Sequence, residues 1–223
     1  MLELSLVQKL VAMALPVILA VTVHEAAHAW VADRLGDKTA RSLGRVTFNP
    51  IPHIDLVGTI ILPLGLYAMA SLLGGAGFLF GYAKPVPVIA ARLHKPRRDM
   101  ALVALAGPGA NLIMAILWAL TFRLAQGSVE SMPLLAEPLL YMGLFGVMIN
   151  IFLMVLNLLP LLPLDGGRVV ASMLPLSLAL KYAKLEPYGL FILLGLLFSG
   201  LLTPIILPVA FGLQSALLGL ATG

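Results

Sequence analysis

Long apolar stretches broken by short basic clusters set the plan of this chain. Uncharged runs extend over 56–83, 100–122, 139–164 and 188–223, and a further run, 10–32, holds a single formal charge, Glu25. At 1.5 Å per residue each is long enough to cross a hydrocarbon layer about 30 Å thick. The last could form two shorter helices, with Gly200 and Pro204 where a tight reversal would fall. The run 56–83 is different. It carries six glycines, among them Gly74, Gly75 and Gly77, so its helix propensity is poor and its backbone can turn back within the membrane as a re-entrant helix or a β-hairpin. The pattern predicts an all-α polytopic membrane protein with about five transmembrane helices plus this glycine-rich re-entrant segment.

Charge gives the topology. If 56–83 enters and returns, twelve of the fourteen lysines and arginines fall on one side; if it crosses once, the split is nine to five. The positive-inside rule favours the re-entrant form, with the amino terminus outside and the basic loops in the cytoplasm. Composition agrees: 61% hydrophobic and 11% charged residues, with a mean hydropathy of +1.04, cannot cover a soluble globule. The basic residues flank apolar segments without interleaved aromatics, which fits anionic lipid headgroups and argues against nucleic acid. Neither a repeat nor a long polar segment divides the chain, so one membrane domain, 1–223, is expected, with a core at about 10–170 and a helical hairpin at about 188–220. Glu3 and the length of the first apolar run argue for a retained span over a cleaved signal peptide.

Within that first run lies His24-Glu25-Ala26-Ala27-His28. Two imidazoles four residues apart share one helix face and can grip one zinc ion, and the glutamate between them can serve as general base. The bland reading has both histidines bonded to neighbouring helices and Glu25 paired with an arginine, at the cost of burying charge. With no cysteine in the chain, a third ligand must be histidine or carboxylate. Asp165 lies within a stretch, 157–167, in which two prolines and two glycines break an apolar run, tolerable at membrane depth beside a protein-lined or wet cavity. It is either the third ligand or a turn-forming helix end. The histidines lie roughly 7 to 13 Å from the downstream end of their span, and Asp165 shares their side only if 56–83 crosses an even number of times.

Together with Ala106-Gly107-Pro108-Gly109-Ala110-Asn111, these segments resemble the site-2 protease family of intramembrane zinc metalloproteases. The likeness covers most of residues 20–170. It implies one zinc per chain held by His24, His28 and Asp165, Glu25 as the catalyst, and a site open to the cytoplasm. The implied reaction is peptide-bond hydrolysis in or next to a transmembrane segment. The substrate would be a membrane-tethered transcription regulator or anti-sigma factor, and the location a prokaryotic cell membrane. The chain shows little ahead of the first motif, no loop for a PDZ module and no tail for a nucleotide-sensing domain, so recognition is expected to rest on the membrane core. Asn111 and Asn157 are polar side chains in apolar helices. They bond across helices, or, as the resemblance implies, lie near the zinc to orient substrate or stabilise an oxyanion. His53 and Asp55 either cap a loop or support the metal ligands from behind.

Residues 82–88, Tyr-Ala-Lys-Pro-Val-Pro-Val, read as extended, with prolines blocking one edge. With the glycine-rich stretch before them they suggest strands dipping into the membrane, whose edge could hold an unwound substrate. Residues 74–80 are the stretch in which substitutions would test this clamp. The rival reading is an ion-coupled membrane transporter with a zinc or cation site, since broken helices and buried carboxylates also build transport sites; the repeat symmetry of such a protein is not found.

Overall fold

The first apolar run forms one long helix, α1 (Leu6–Arg34), in the computed structural model, which describes residues 5–61, 65 and 81–222. A capping box starts it: Gln8 N–H donates to Ser5 Oγ, and Ser5 N–H donates to Gln8 Oε1 at 2.9 Å, satisfying two otherwise orphaned donors. At the other end Gly36, at φ 114°, reverses the chain with backbone that L-residues avoid. A single turn, α2 (Thr39–Ser42), and an irregular loop follow.

The centre of the molecule is a hairpin of α3 (Pro96–Gly127) and α4 (Pro133–Asn157), with α1 packed across both. Small residues set the spacing. Gly143 lies against Phe122 and Gly146 against the Trp118 ring, where any Cβ would collide, the close approach that apolar helices use to pack in lipid. Ala115, Trp118, Val147, Ile151 and Met154 form the core between them. On the opposite face of α3, Ile113, Leu117, Leu120 and Leu124 are exposed at helical spacing, an apolar stripe that a bilayer would cover. The chain continues through α5 (Asp165–Met173), α6 (Leu176–Ala183), α7 (Glu186–Phe198) and α8 (Thr203–Thr222). Gly200, at φ 73°, makes the predicted reversal between the last two.

Among the described residues four helices, α1, α3, α4 and α8, are long and apolar enough to cross a membrane, where about five were expected. The fifth apolar helix, α7, has 13 residues. At 1.5 Å per residue it reaches about 20 Å, short of a full hydrocarbon core. The uncharged run behind it is long, but Gly200 divides it unequally. No strand occurs among the described residues. Most of the predicted re-entrant segment and clamp, 62–64 and 66–80, lies outside them. Its flanks are described and they meet: Tyr82 N–H donates to Gly58 O and Thr59 Oγ1 to Tyr82 O, each at 3.0 Å.

Residues 81–89 carry no regular secondary structure, and their partners are loop carbonyls and side chains, with no ladder of strands. Lys84 N–H donates to His53 O at 2.9 Å. The buried Arg45 guanidinium donates to Pro52 O, Lys84 O and Pro85 O at 2.6, 3.1 and 2.9 Å. Downstream, Ile89 N–H donates to Asp37 Oδ2 at 2.6 Å. Burial pushes the Asp37 carboxyl up, yet the bonds from Thr39 and Ile89, with Arg92 nearby, outweigh that and hold it below the usual carboxylate range. These links tie the segment 81–89 to the loop after α1.

Candidate metal centre

His24 and His28, one helical turn apart on α1, meet Asp165 at the first residue of α5. The helix supplies the histidine spacing. The break at 158–164 carries the chain back so that the carboxylate faces them, with Gly166 and Gly167 pressed onto the backbone of residues 158–162, where a Cβ has no room. Asp165 Oδ2 lies 3.2 Å from His24 Nε2 and 3.3 Å from His28 Nε2, and the two Nε2 atoms are 3.0 Å apart. All three residues are buried.

The outer nitrogens decide what the inner ones can do. His24 Nδ1 is 2.5 Å from Asn111 Oδ1 and His28 Nδ1 is 2.7 Å from Val103 O. Both partners are acceptors, so each imidazole carries its proton on Nδ1 and turns the Nε2 lone pair inward. The Asn111 amide is fixed in turn: its Nδ2 donates to Asn150 Oδ1 at 2.9 Å and to Ala20 O at 3.3 Å, while Asn150 Nδ2 donates to Gly146 O at 2.8 Å.

Three acceptors therefore face one point, and Asp165 Oδ2 has no hydrogen-bond donor. A proton can bridge two of them; a cation satisfies all three. Zinc bonds of about 2.0–2.2 Å in tetrahedral geometry set ligand atoms about 3.4 Å apart, close to the observed triangle. Two histidines and one carboxylate are also a donor set of catalytic zinc, which keeps a fourth position open. These residues fit the ion, and they are the group of metal-ligating side chains that the described residues bring together.

Beside the triangle is a cavity of about 390 Å³ lined by Glu25, Asn157 and Arg168 along with the three converging residues. Glu25 Oε2 accepts the N–H of Val86 at 3.0 Å. Asn157 returns its Nδ2 to Leu153 O in its own helix at 3.0 Å. His53 and Asp55 act on the loop. His53 Nε2 donates to Thr47 O at 3.1 Å, and Asp55 Oδ1 accepts from Val57 and Gly58 N–H at 3.0 and 2.7 Å, capping the wide turn Leu56–Ile61. The outer nitrogens of the two imidazoles are held instead by Asn111 and Val103.

Asn150 escaped the sequence reading, and Gly107, quoted there within the motif at 106–111, was given no role of its own. Asn150 resembles any polar residue in an apolar run. Gly107 packs so closely that a Cβ would collide with the Nε2 atoms of both histidines. A glycine inside an apolar helical run was the available signal for Gly107.

Fold and site together define a multispan membrane protein with a buried cluster of two histidines and one aspartate that fits a zinc ion. The chain belongs to peptidase family M50, whose model matches residues 12–141 and 129–200. It is 36% identical over 194 residues to YwhC of Bacillus subtilis (strain 168), which carries a zinc metalloprotease name; the match covers 86% of this chain and 82% of that protein. It is 29% identical to Rip2 of Mycolicibacterium smegmatis, also named as a zinc metalloprotease, over 82% of this chain and 64% of that one. With Rip2 of Mycobacterium tuberculosis H37Rv the identity is 31%, over 74% and 52%. The chain thus spans less than two thirds of the Rip2 proteins. No solved structure matches at a significant level. Zinc metalloprotease chemistry in a membrane follows from this membership, and nothing in the family or the site favours the transporter reading.

Proposed function

We propose that His24, His28 and Asp165 hold one zinc ion and that Glu25 is the general base and acid in hydrolysis of a peptide bond within or next to a substrate's membrane-spanning segment. The observation that carries this is the triangle of inward-facing acceptors with no donor among them. Zinc, when bound there, polarises a scissile carbonyl and acidifies water. The chain's own residues do the rest. Glu25 lines the same cavity, within reach of a water's proton, and can pass that proton to the leaving amine. Asn111 holds His24 in the tautomer that binds metal, and Asn157, on the cavity wall, is placed to orient substrate.

The active domain is 1–223, with the amino terminus outside and the cavity opening to the cytoplasm. Three observations support this orientation: the distribution of basic residues, the approach of Asp165 to the α1 histidines, and the hydrogen bond between Tyr82 and Gly58, which brings both flanks of the 62–80 stretch to one place. The substrate is a single-span protein of a prokaryotic cell membrane, a tethered transcription regulator or anti-sigma factor.

The test is cleavage of a single-span substrate by purified protein, with metal measured per chain. Glu25→Gln should keep one zinc and lose turnover; Asp165→Ala and His24→Ala should lose the metal. Normal turnover by Glu25→Gln would overturn the role of the base, and full zinc in Asp165→Ala would overturn the ligand set.

A further inference from the structure

A glutamate on a helix has three rotatable bonds, yet a general base must hold one oxygen within about 2.6–3.2 Å of the proton it takes. Helix α1 fixes the Cα of Glu25 and leaves the carboxylate free to swing. What holds it is the backbone of the segment 81–89, through the Val86 N–H on Oε2 at 3.0 Å. No donor among the described residues engages Oε1, the oxygen then left for the proton.

The sequence around that donor restricts its register. Pro85 and Pro87 have no N–H, so Val86 is the sole donor in the triplet. A slip of one residue would offer Glu25 a proline nitrogen. The triplet is pinned on both sides: upstream by Arg45, whose guanidinium donates to Lys84 O and Pro85 O, and downstream by Asp37, which accepts from Ile89 N–H. Arg45 and Asp37 are both buried. Arg45's planar fork spans three carbonyls, a task that a lysine ammonium performs poorly. The Val86 side chain packs against Ala29 and Ala40, which seats the strap on α1 one residue beyond His28.

We propose that Arg45 and Asp37 are positioning residues for the general base: they fix the strap 84–89 so that the Val86 N–H aims the Glu25 carboxylate into the cavity. This rests on the assignment of Glu25 as base. Neither residue hydrogen-bonds to His24, His28 or Asp165, and the bonds that carry their effect to Glu25 are those to the strap.

The direct test replaces Val86 by 2-hydroxyisovalerate in the full chain, exchanging the N–H for an ester oxygen and keeping the side chain. The expected result is a fall of about tenfold in kcat, the size of a lost bond to a charged acceptor, with KM and zinc per chain unchanged. Val86→Pro removes the same donor and serves if the ester variant does not accumulate. Arg45→Ala and Asp37→Ala should lower kcat in the same way, with Arg45→Lys in between. Adding Arg45→Ala to the ester variant should cost nothing more, because the bond it supports is already gone. An unchanged kcat in the ester variant, multiplicative losses in the combination, or zinc lost along with kcat would each overturn the proposal. Normal turnover by Glu25→Gln would instead overturn the base itself, so the two failures are distinct.

Discussion

Asn111 Oδ1 lies 2.5 Å from His24 Nδ1, and its own amide is spent on Asn150 and Ala20. This is a chain of hydrogen bonds donated outward from His24 through Asn111 and Asn150 to Gly146 O at the α3–α4 interface, and it fixes the tautomer of one imidazole. Asn111→Ala should lower zinc affinity by about 10- to 100-fold, the range seen when a ligand's supporting bond is removed. Asn150→Ala should lower it less, since Asn111 keeps its bonds to His24 and Ala20. Chelator-competition titrations of the two variants will show the order.

Gly107 gives a prediction whose sign opposes helix propensity. Alanine at this position favours α3 intrinsically by about 1 kcal/mol, yet its methyl would fall on both imidazole nitrogens. Gly107→Ala should retain helix content by circular dichroism and lose most of its zinc. A fully loaded variant would show that the imidazoles can move aside.

The converging triad was legible in the sequence because its spacing carries chemistry: His24 and His28 mark one helix face, and Asp165 sits at a break in an apolar run. The supporting residues were not, because their roles depend on which helix faces which. Asn111, Asn150 and Asn157 all read as amides in apolar runs, and only the packing of α3 on α4 separates the two that form the hydrogen-bond chain from the one on the cavity wall. The number of spans was legible only in part: the run 188–223 reads as two helices reversing near Gly200, while the short length of α7 emerges only from the backbone. His53 read as either a loop cap or a support for the metal ligands; its ring bonds Thr47 O and its carbonyl accepts from Lys84 N–H.

Asp37 should give an acid-sensitive contribution to stability. Its carboxyl is held below the ordinary range when folded, so the stabilisation is complete above the unfolded value of about 3.9. It is lost as pH falls through the lower folded value. Asp37→Asn should be less stable at neutral pH by about 1 kcal/mol and lose less on acidification below pH about 4. Thermal unfolding in micelles at a series of pH values measures both.

Helix α7 bears on the metal centre through Gly189, where a Cβ would strike Leu162 O and Pro163, just ahead of Asp165. Gly189→Leu should push the helix off this loop, costing about 1–3 kcal/mol as overpacking does and loosening zinc. An unchanged melting temperature and metal content would mean the helix is free to slide.

The pairing of Gly58 with Tyr82 closes a loop whose two ends are stapled together before the chain proceeds to Val86. With its upstream end fastened to the turn that Asp55 caps, the segment that carries Val86 takes its height over Glu25 from described contacts on both sides, so a change confined to residues beyond those anchors should leave the Val86–Glu25 bond in place.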